Sequence, residues 1–107
     1  MVRIAILYPN SKGSRFNFEY YMKAHMPRAI ELLSAHPGYR GASVERGLVG
    51  AKPKSAPAYA AMCYFLFDTE DSFMAAFMPN AAELQGDIPN YTDVTPVIQI
   101  NDVLIQA

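Results

Sequence analysis

Apolar and polar positions divide the 107-residue chain into six predicted elements. Short apolar runs of strand length predict β-strands, and longer stretches with apolar residues three or four apart predict helices. The predicted strands cover residues 2–8, 39–49, 58–68 and 94–102, and the predicted helices cover residues 18–34 and 70–85. The predicted element order is therefore β-α-β-β-α-β.

The predicted helix ends have recognisable caps. Asn17 or Ser14 can cap the first helix, because either side chain can accept a hydrogen bond from a free backbone N–H. Thr69 can cap the second helix, and Glu70 and Asp71 follow it in the first turn, where the helix dipole favours negative charge.

This element order predicts an α+β fold. A four-stranded antiparallel sheet with two helices on one face makes a ferredoxin-like sandwich. The first and third strands are apolar on both faces, which is typical of central strands. The second strand carries charged residues, and the fourth carries Pro96, which cannot donate to a strand ladder and prefers an edge. The predicted strand order is 4-1-3-2.

The third strand predicts a partner for the open face of the sheet. Both alternating sets of its side chains are largely apolar: Tyr59, Ala61, Cys63, Phe65 and Phe67 alternate with Ala58, Ala60, Met62, Tyr64 and Leu66. Two helices cover only one set, and the other would form an exposed apolar patch that monomers rarely tolerate. A tail or loop can fold over such a face, but little chain is left to do so. We therefore expect a homodimer packed through its sheets.

Composition and charge narrow the possible partners. Hydrophobic residues make up 51% of the chain, and the net charge of −1 comes without a basic run. This argues against nucleic acid or an anionic membrane surface as a partner.

No stretch has membrane-spanning length, and the apolar N-terminal run is too short for a signal peptide. The single Cys63 fits a reducing cytoplasm, and residues 1–107 read as one domain.

His25 is the first candidate for chemistry. At about 100° per residue the first helix has an apolar stripe. Its members are Phe18, Tyr21, Met22, His25, Ala29 and Leu32. His25 lies in the middle of this stripe and should face the sheet. Pro27 lacks an N–H group and clashes with the carbonyl of Lys23, so we expect the helix to kink or restart near His25 and Met26. The kink would open space beside an imidazole able to act as a general acid or base.

Two interpretations of His25 remain open. It is either this acid or base, or a core histidine tied to a backbone carbonyl or a tyrosine hydroxyl. His36 precedes Pro-Gly at the end of the helix, where a positive charge suits the dipole, so we interpret it as structural.

Further polar residues are candidates for binding a ligand near His25. They are Tyr20, Tyr21, Tyr64, Asp87, Asn90 and Tyr91. Buried tyrosines usually need a hydroxyl partner, which favours a cluster with His25. Turn chemistry alone also explains Asn90, because Pro-Asn is a common turn pair. Two histidines eleven residues apart have no recognised metal spacing, and no phosphate loop, nucleophile elbow or paired cysteine motif is present.

Three segments carry a resemblance to a known family. "FNFEYYMKAHMPRAIELL", "YAAMCYFLFDTEDSFMAAF" and "GDIPNYTDVTPVIQI" together resemble the EthD family, and the pairing of "YYxxxHMP" with "DIPNYTD" is the most specific part. The resemblance spans nearly the whole chain and implies a dimeric α/β barrel. The family is named after bacterial gene clusters for ether degradation. Related barrels include cofactor-free monooxygenases, lactone isomerases, polyketide cyclases, haem degraders and stress proteins, so the resemblance implies fold more strongly than chemistry.

The resemblance and the residues together lead to three functional hypotheses. The first is an enzyme of the oxidoreductase, isomerase or cyclase kind, or an auxiliary to a catabolic oxygenase, that uses no cofactor. It would act on a small hydrophobic or aromatic compound, with His25 as acid or base and Tyr21 and Tyr91 orienting the ligand. The second is a non-catalytic carrier of the same compounds, and the third is a stress or interaction protein. The related haem degraders suggest haem as a ligand, but no residue here specifies it.

Overall fold

The computed structural model describes residues 1–107 and contains the predicted order of elements. Four strands form one antiparallel sheet: β1 (Val2–Pro9), β2 (Tyr39–Arg46), β3 (Tyr59–Phe67) and β4 (Val97–Asp102). Their order is β2-β3-β1-β4, which is the predicted 4-1-3-2 order seen from the other edge. The predicted α+β sandwich is confirmed.

Two interrupted helices cover one face of the sheet. The first helix consists of α1 (Phe18–Tyr20), a π-helical segment (Tyr21–His25) and α2 (Met26–Ser34). The second helix consists of α3 (Glu70–Phe77), a 3₁₀ turn (Met78–Asn80) and α4 (Ala81–Gly86). A further 3₁₀ turn (Ile88–Asn90) lies in the segment that leads to β4. None of these helices combines the length and apolar character that crossing a bilayer requires.

Both helices begin with side-chain caps. The Asn17 carboxamide oxygen accepts from the backbone N–H of Tyr20 at 3.1 Å, whereas the Ser14 hydroxyl donates to the Ser11 carbonyl instead. Thr69 caps α3 in a reciprocal capping box with Ser72. Of the two candidates for the first cap, the structure therefore selects Asn17.

The register of β1 with β3 sorts the central side chains into two faces. Ile4 pairs with Phe65 and Tyr8 pairs with Ala61, and these residues are buried beneath the helices. The intervening pairs point to the open face: Arg3 with Leu66, Ala5 with Tyr64 and Leu7 with Met62. The open face therefore has an apolar centre, as the alternation in the third strand predicted.

Two strands are three residues shorter than predicted. β2 ends at Arg46 instead of residue 49, and β4 begins at Val97 instead of residue 94. Pro96 lacks the backbone donor that would extend the ladder toward residue 94, which accounts for the late start of β4.

Phe67 is expected to anchor the core. It is completely buried and packs edge-to-face against Tyr39 and Phe73, so it joins the sheet to the second helix. We expect Phe67→Ala to lower the free energy of unfolding by about 3–5 kcal/mol, because it removes a buried ring and leaves a cavity. Denaturant unfolding measures this loss. Lys12→Ala, at an exposed loop position, serves as control and should change stability by less than about 0.5 kcal/mol. A loss below 1 kcal/mol for Phe67→Ala would contradict this account of the core.

Candidate functional site

The first helix changes its hydrogen-bond pattern at His25. The N–H of Met26 donates to the carbonyl of Tyr21, five residues earlier, and the α-helix resumes from Met26. Pro27 lies in the first turn of α2, where its missing N–H is tolerated. The predicted break near His25 and Met26 is thus confirmed as a change from π- to α-helix. Single π turns within helices occur frequently at functional sites.

The π turn also changes which side chains face the sheet. The buried residues of this helix include Tyr21, His25, Ala29 and Leu33, each four positions after the previous one. Met22, predicted to belong to the apolar stripe, is 48% exposed. The prediction for Met22 was wrong because a wide turn holds more residues than the 100° spacing of an α-helix allows.

His25 forms a hydrogen bond with Asp87 in the segment before β4. His25 Nδ1 lies 2.8 Å from Asp87 Oδ2, and only 9% of the imidazole side chain is exposed. An ionised carboxylate only accepts hydrogen bonds, so Nδ1 carries the hydrogen, and in a neutral imidazole the lone pair is then on Nε2. No protein atom forms a hydrogen bond with Nε2. The arrangement therefore orients the imidazole as a base.

Asp87 receives three hydrogen bonds. The Tyr20 hydroxyl donates to Oδ1 at 2.6 Å, and the Asn90 amide donates to the same oxygen at 2.8 Å, in addition to His25 on Oδ2. Partial burial acts to raise the pKa of Asp87, but the hydrogen bonds from Tyr20, Asn90 and His25 outweigh it and lower that pKa. Asp87 is therefore a carboxylate at neutral pH.

Two buried tyrosines hold the imidazole ring in place. Tyr21 stacks on His25 with ring centroids 5.5 Å apart and an interplanar angle of 14°, and the Tyr91 centroid lies 4.7 Å from that of His25. Burial raises the pKa of both tyrosines, so both remain neutral phenols. The imidazole is thus fixed by stacking as well as by its carboxylate.

An apolar cavity of about 240 Å³ lies between the sheet and the two helices. Hydrophobic residues make up 14 of its 17 lining residues. His25 and Tyr91 belong to the lining, and so does Tyr8, whose hydroxyl lies 2.7 Å from the Tyr91 hydroxyl. The polar groups of the cavity therefore include an imidazole and a pair of phenols that contact one another.

A polar cleft lies on the other side of the imidazole. Its lining includes His25, Asp87, Tyr20 and Asn90, and Arg28 and Glu83 form an ion pair at 2.6 Å within it. His25 lines both the apolar cavity and the polar cleft, so its ring stands in the wall between them. No three His, Cys, Asp or Glu side chains converge as a metal-binding cluster.

The structure brings together most of the candidate residues named from the sequence. Asp87, Tyr20 and Asn90 form one hydrogen-bonded group with His25, and Tyr91 joins it in the cavity wall. Tyr21 packs against His25 but does not line the cavity, so it supports the ring instead of facing a ligand there.

Tyr64 lies on the opposite side of the sheet. It pairs with Ala5 on the open face, and its hydroxyl donates to the Met62 sulfur at 3.2 Å. Its selection as a ligand-binding residue of this cavity is corrected, because strand alternation turns its side chain away from the helices.

Tyr8 was missed by sequence reasoning. It shares the buried face of β1 with Ile4 and Ile6, and it ends that apolar alternation with a hydroxyl. The same alternation, applied to polar side chains at strand ends, would have identified it.

The comparisons with known proteins agree with this fold. The family model of the EthD domain matches residues 14–95. The crystal structure of an EthD-like protein from Ralstonia eutropha JMP134 is 38% identical and has a TM-score of 0.92, with 99% of this chain and 94% of that chain covered. No curated protein matches the chain closely enough to indicate a relative.

Two more distant structures share the fold. An EthD family protein from Bacillus halodurans C-125 is 20% identical, with a TM-score of 0.64 over 97% of this chain and 99% of that chain. SnoaB, a cofactor-independent oxygenase from Streptomyces nogalater, is 13% identical, with a TM-score of 0.62 over 98% of this chain and 94% of that chain. At these identities the likeness concerns the fold alone.

The pH dependence of stability tests the role of Asp87. Because its pKa is lower in the folded protein than the usual value near 3.9, its carboxylate stabilises the fold fully above that value. This contribution is lost as the pH falls through the lower, folded pKa. We expect Asp87→Asn to cost about 1–3 kcal/mol at pH 7 and less at pH 3. Denaturant unfolding of both proteins at the two pH values measures the difference.

Asp102→Asn is the matched control for this experiment. Asp102 is exposed at the end of β4 and its carboxylate has no hydrogen-bond partner. Its substitution should change stability by less than about 0.5 kcal/mol at either pH. A cost for Asp87→Asn that is equal at pH 7 and pH 3 would show that the carboxylate charge contributes nothing.

Proposed function

The chain belongs to the EthD family, and we propose that it binds a small hydrophobic or aromatic compound in the apolar cavity and moves a proton through His25. One observation carries this proposal: an imidazole paired with a carboxylate stands in the wall of an otherwise apolar cavity. Titratable groups with a specific charge partner in a cleft are typical of functional sites.

The geometry supports His25 as a general base. Nε2 would take one proton from a carbon or oxygen of the ligand, and the Asp87 carboxylate would stabilise the imidazolium that forms. Tyr91 is a neutral phenol in the same wall and is suited to donate a hydrogen bond to an oxygen that gains negative charge. The step moves a single proton and requires no cofactor.

A carrier protein would need the cavity but not the oriented imidazole. Carrying an apolar compound is explained by the volume and lining alone. It does not explain why Asp87, held by Tyr20 and Asn90, fixes one tautomer of a histidine beside that volume. The pairing therefore favours catalysis over transport.

A probe reaction tests the proposed base without knowledge of the natural substrate. In 5-nitrobenzisoxazole a base removes the ring C–H proton, the N–O bond breaks, and a nitrile with a coloured phenolate forms. We expect the wild-type protein to accelerate this elimination and His25→Gln to lower the rate by roughly 10²- to 10⁴-fold. Absorbance of the phenolate measures the rate, and thermal unfolding verifies that the variant folds.

His36→Gln is the control, because the other histidine accepts a hydrogen bond from Gly38 and lies outside the cavity. It should leave the elimination rate unchanged. If His25→Gln costs about 1–3 kcal/mol of stability while the rate equals that of wild type, His25 is a structural residue and the proposal is wrong.

Dimerisation through the open sheet face is part of the same proposal. Leu7, Met62 and Leu66 form its apolar centre, and they are only partly buried in the single chain. Arg3, Glu45 and Gln99 border this centre on the same face. An apolar centre with a polar rim is typical of a protein interface, and a second sheet packed face to face would cover it.

Light scattering tests the dimer. At micromolar concentration the wild type should show twice the 11.9 kDa chain mass. Leu7→Asp should shift the mass toward that of one chain, because Leu7 pairs with the apolar Met62 and Val97, and the new carboxylate would be an unpaired charge at the interface. Met78→Asp is the control, since Met78 is 59% exposed on the second helix. A wild type that is a stable monomer would refute the proposed dimer.

A further inference from the structure

We propose that the cavity selects uncharged ring compounds with an oxygen acceptor, and that the hydroxyl pair of Tyr8 and Tyr91 binds this oxygen. The inference rests on the proposed function in that it concerns the same cavity. It adds the class of compound and a recognition element that proton transfer by His25 does not require.

The hydroxyl pair retains one proton for a ligand. The two oxygens lie 2.7 Å apart. The Tyr21 hydroxyl interacts with that of Tyr8, so Tyr8 can accept from Tyr21 while it donates to Tyr91. The Tyr91 hydroxyl then keeps its one hydrogen, and no protein atom accepts it. Both tyrosines are buried, with 2% of Tyr8 and none of Tyr91 exposed. An unpaired buried donor is costly, and an oxygen of a bound molecule would satisfy it.

The cavity contains no free positive charge that would bind an anionic ligand. Its lining includes no lysine and no arginine. His25 is the only lining residue able to become positive, and Asp87 already pairs with it at 2.8 Å. An anionic ligand would therefore enter an apolar space without a free positive partner, which carries a large desolvation cost. An uncharged oxygen avoids this cost.

The volume fits one ring with a short substituent. An apolar cavity of about 150 Å³ can hold benzene, and this cavity measures about 240 Å³. Two of its lining residues, Met74 on α3 and Ile98 on β4, are 40% and 50% exposed, so the apolar lining of the cavity extends to the protein surface.

The polar groups share one region of the cavity wall. Tyr91 contacts both Tyr8, through its hydroxyl, and His25, through its ring. A ligand oxygen held by the hydroxyl pair would bring the adjacent ligand atoms beside the imidazole. In a ketone the carbon next to the carbonyl group carries the proton that becomes acidic when the carbonyl oxygen is stabilised, which agrees with the proposed base.

Three compounds of similar size test the selection by isothermal titration calorimetry at pH 7. Acetophenone offers an uncharged oxygen, ethylbenzene offers none, and phenylacetate is an anion. We expect acetophenone to bind about 3- to 10-fold more tightly than ethylbenzene, the range for one net hydrogen bond. Phenylacetate should bind more than about 10-fold more weakly than acetophenone.

Variants of Tyr8 and Tyr91 test whether their hydroxyls cause the preference for acetophenone. Tyr8→Phe or Tyr91→Phe alone leaves one hydroxyl, so the preference for acetophenone over ethylbenzene should persist. The double variant should lose this preference. Tyr39→Phe removes a phenol outside the cavity and should behave as wild type. If the double variant does not fold, the comparison of the three compounds on the wild type still decides the matter.

The outcomes separate this inference from the proposed function. Equal binding of acetophenone and ethylbenzene to the wild type would show that the pair is only a core contact or holds water, and equal binding of phenylacetate would refute the charge selection. Binding requires no turnover, so His25→Gln should keep the preference for acetophenone. A retained preference with no elimination activity would refute the base but support the selection.

Discussion

The hydrogen bond between His25 and Asp87 is the interaction on which the rest of the site depends. It joins the first helix to the segment before β4, across 62 positions of the chain. A partly buried carboxylate needs partners, and Tyr20 and Asn90 donate to its other oxygen. Without this carboxylate the tautomer of the imidazole would not be fixed, and the side-chain amide of Asn90 would lose its acceptor. The same bond places the ring between the apolar cavity and the polar cleft.

The irregular first helix makes this bond possible. Five residues from Tyr21 to His25 form a π turn, and the α-helix restarts at Met26 before Pro27. The stripe expected for a regular helix included Met22, which is 48% exposed in the structure. The π turn ends at His25, which is the candidate base. Local rules are most often broken at functional sites, where another gain compensates.

The two faces of the sheet have different roles in the proposed molecule. Beneath the helices, Ile4, Tyr8 and Phe65 contribute to a cavity that the helices do not fill. On the open face, Leu7 and Met62 form an apolar surface that the proposed second copy would cover. In this proposal the two apolar sides of a central strand serve different purposes, one side for the core and the cavity and the other for the dimer. The fold shared with other EthD proteins supplies this scaffold, while the side chains on it decide the chemistry.

The sequence by itself determined the elements, their order and the strand order, because periodicity, caps and proline act over a few residues. It also placed the helix break near His25. The segment "DIPNYTD" indicated Asp87 and Tyr91 as candidate residues near His25. Only the tertiary structure decided that Asp87 is the hydrogen-bond partner of His25, that Tyr8 belongs to the cavity, and that Tyr64 does not. These contacts join side chains far apart in the chain, and they follow from sheet register and from the wide π turn. A pattern read along the sequence contains neither, since both are set by how the helices and strands pack together.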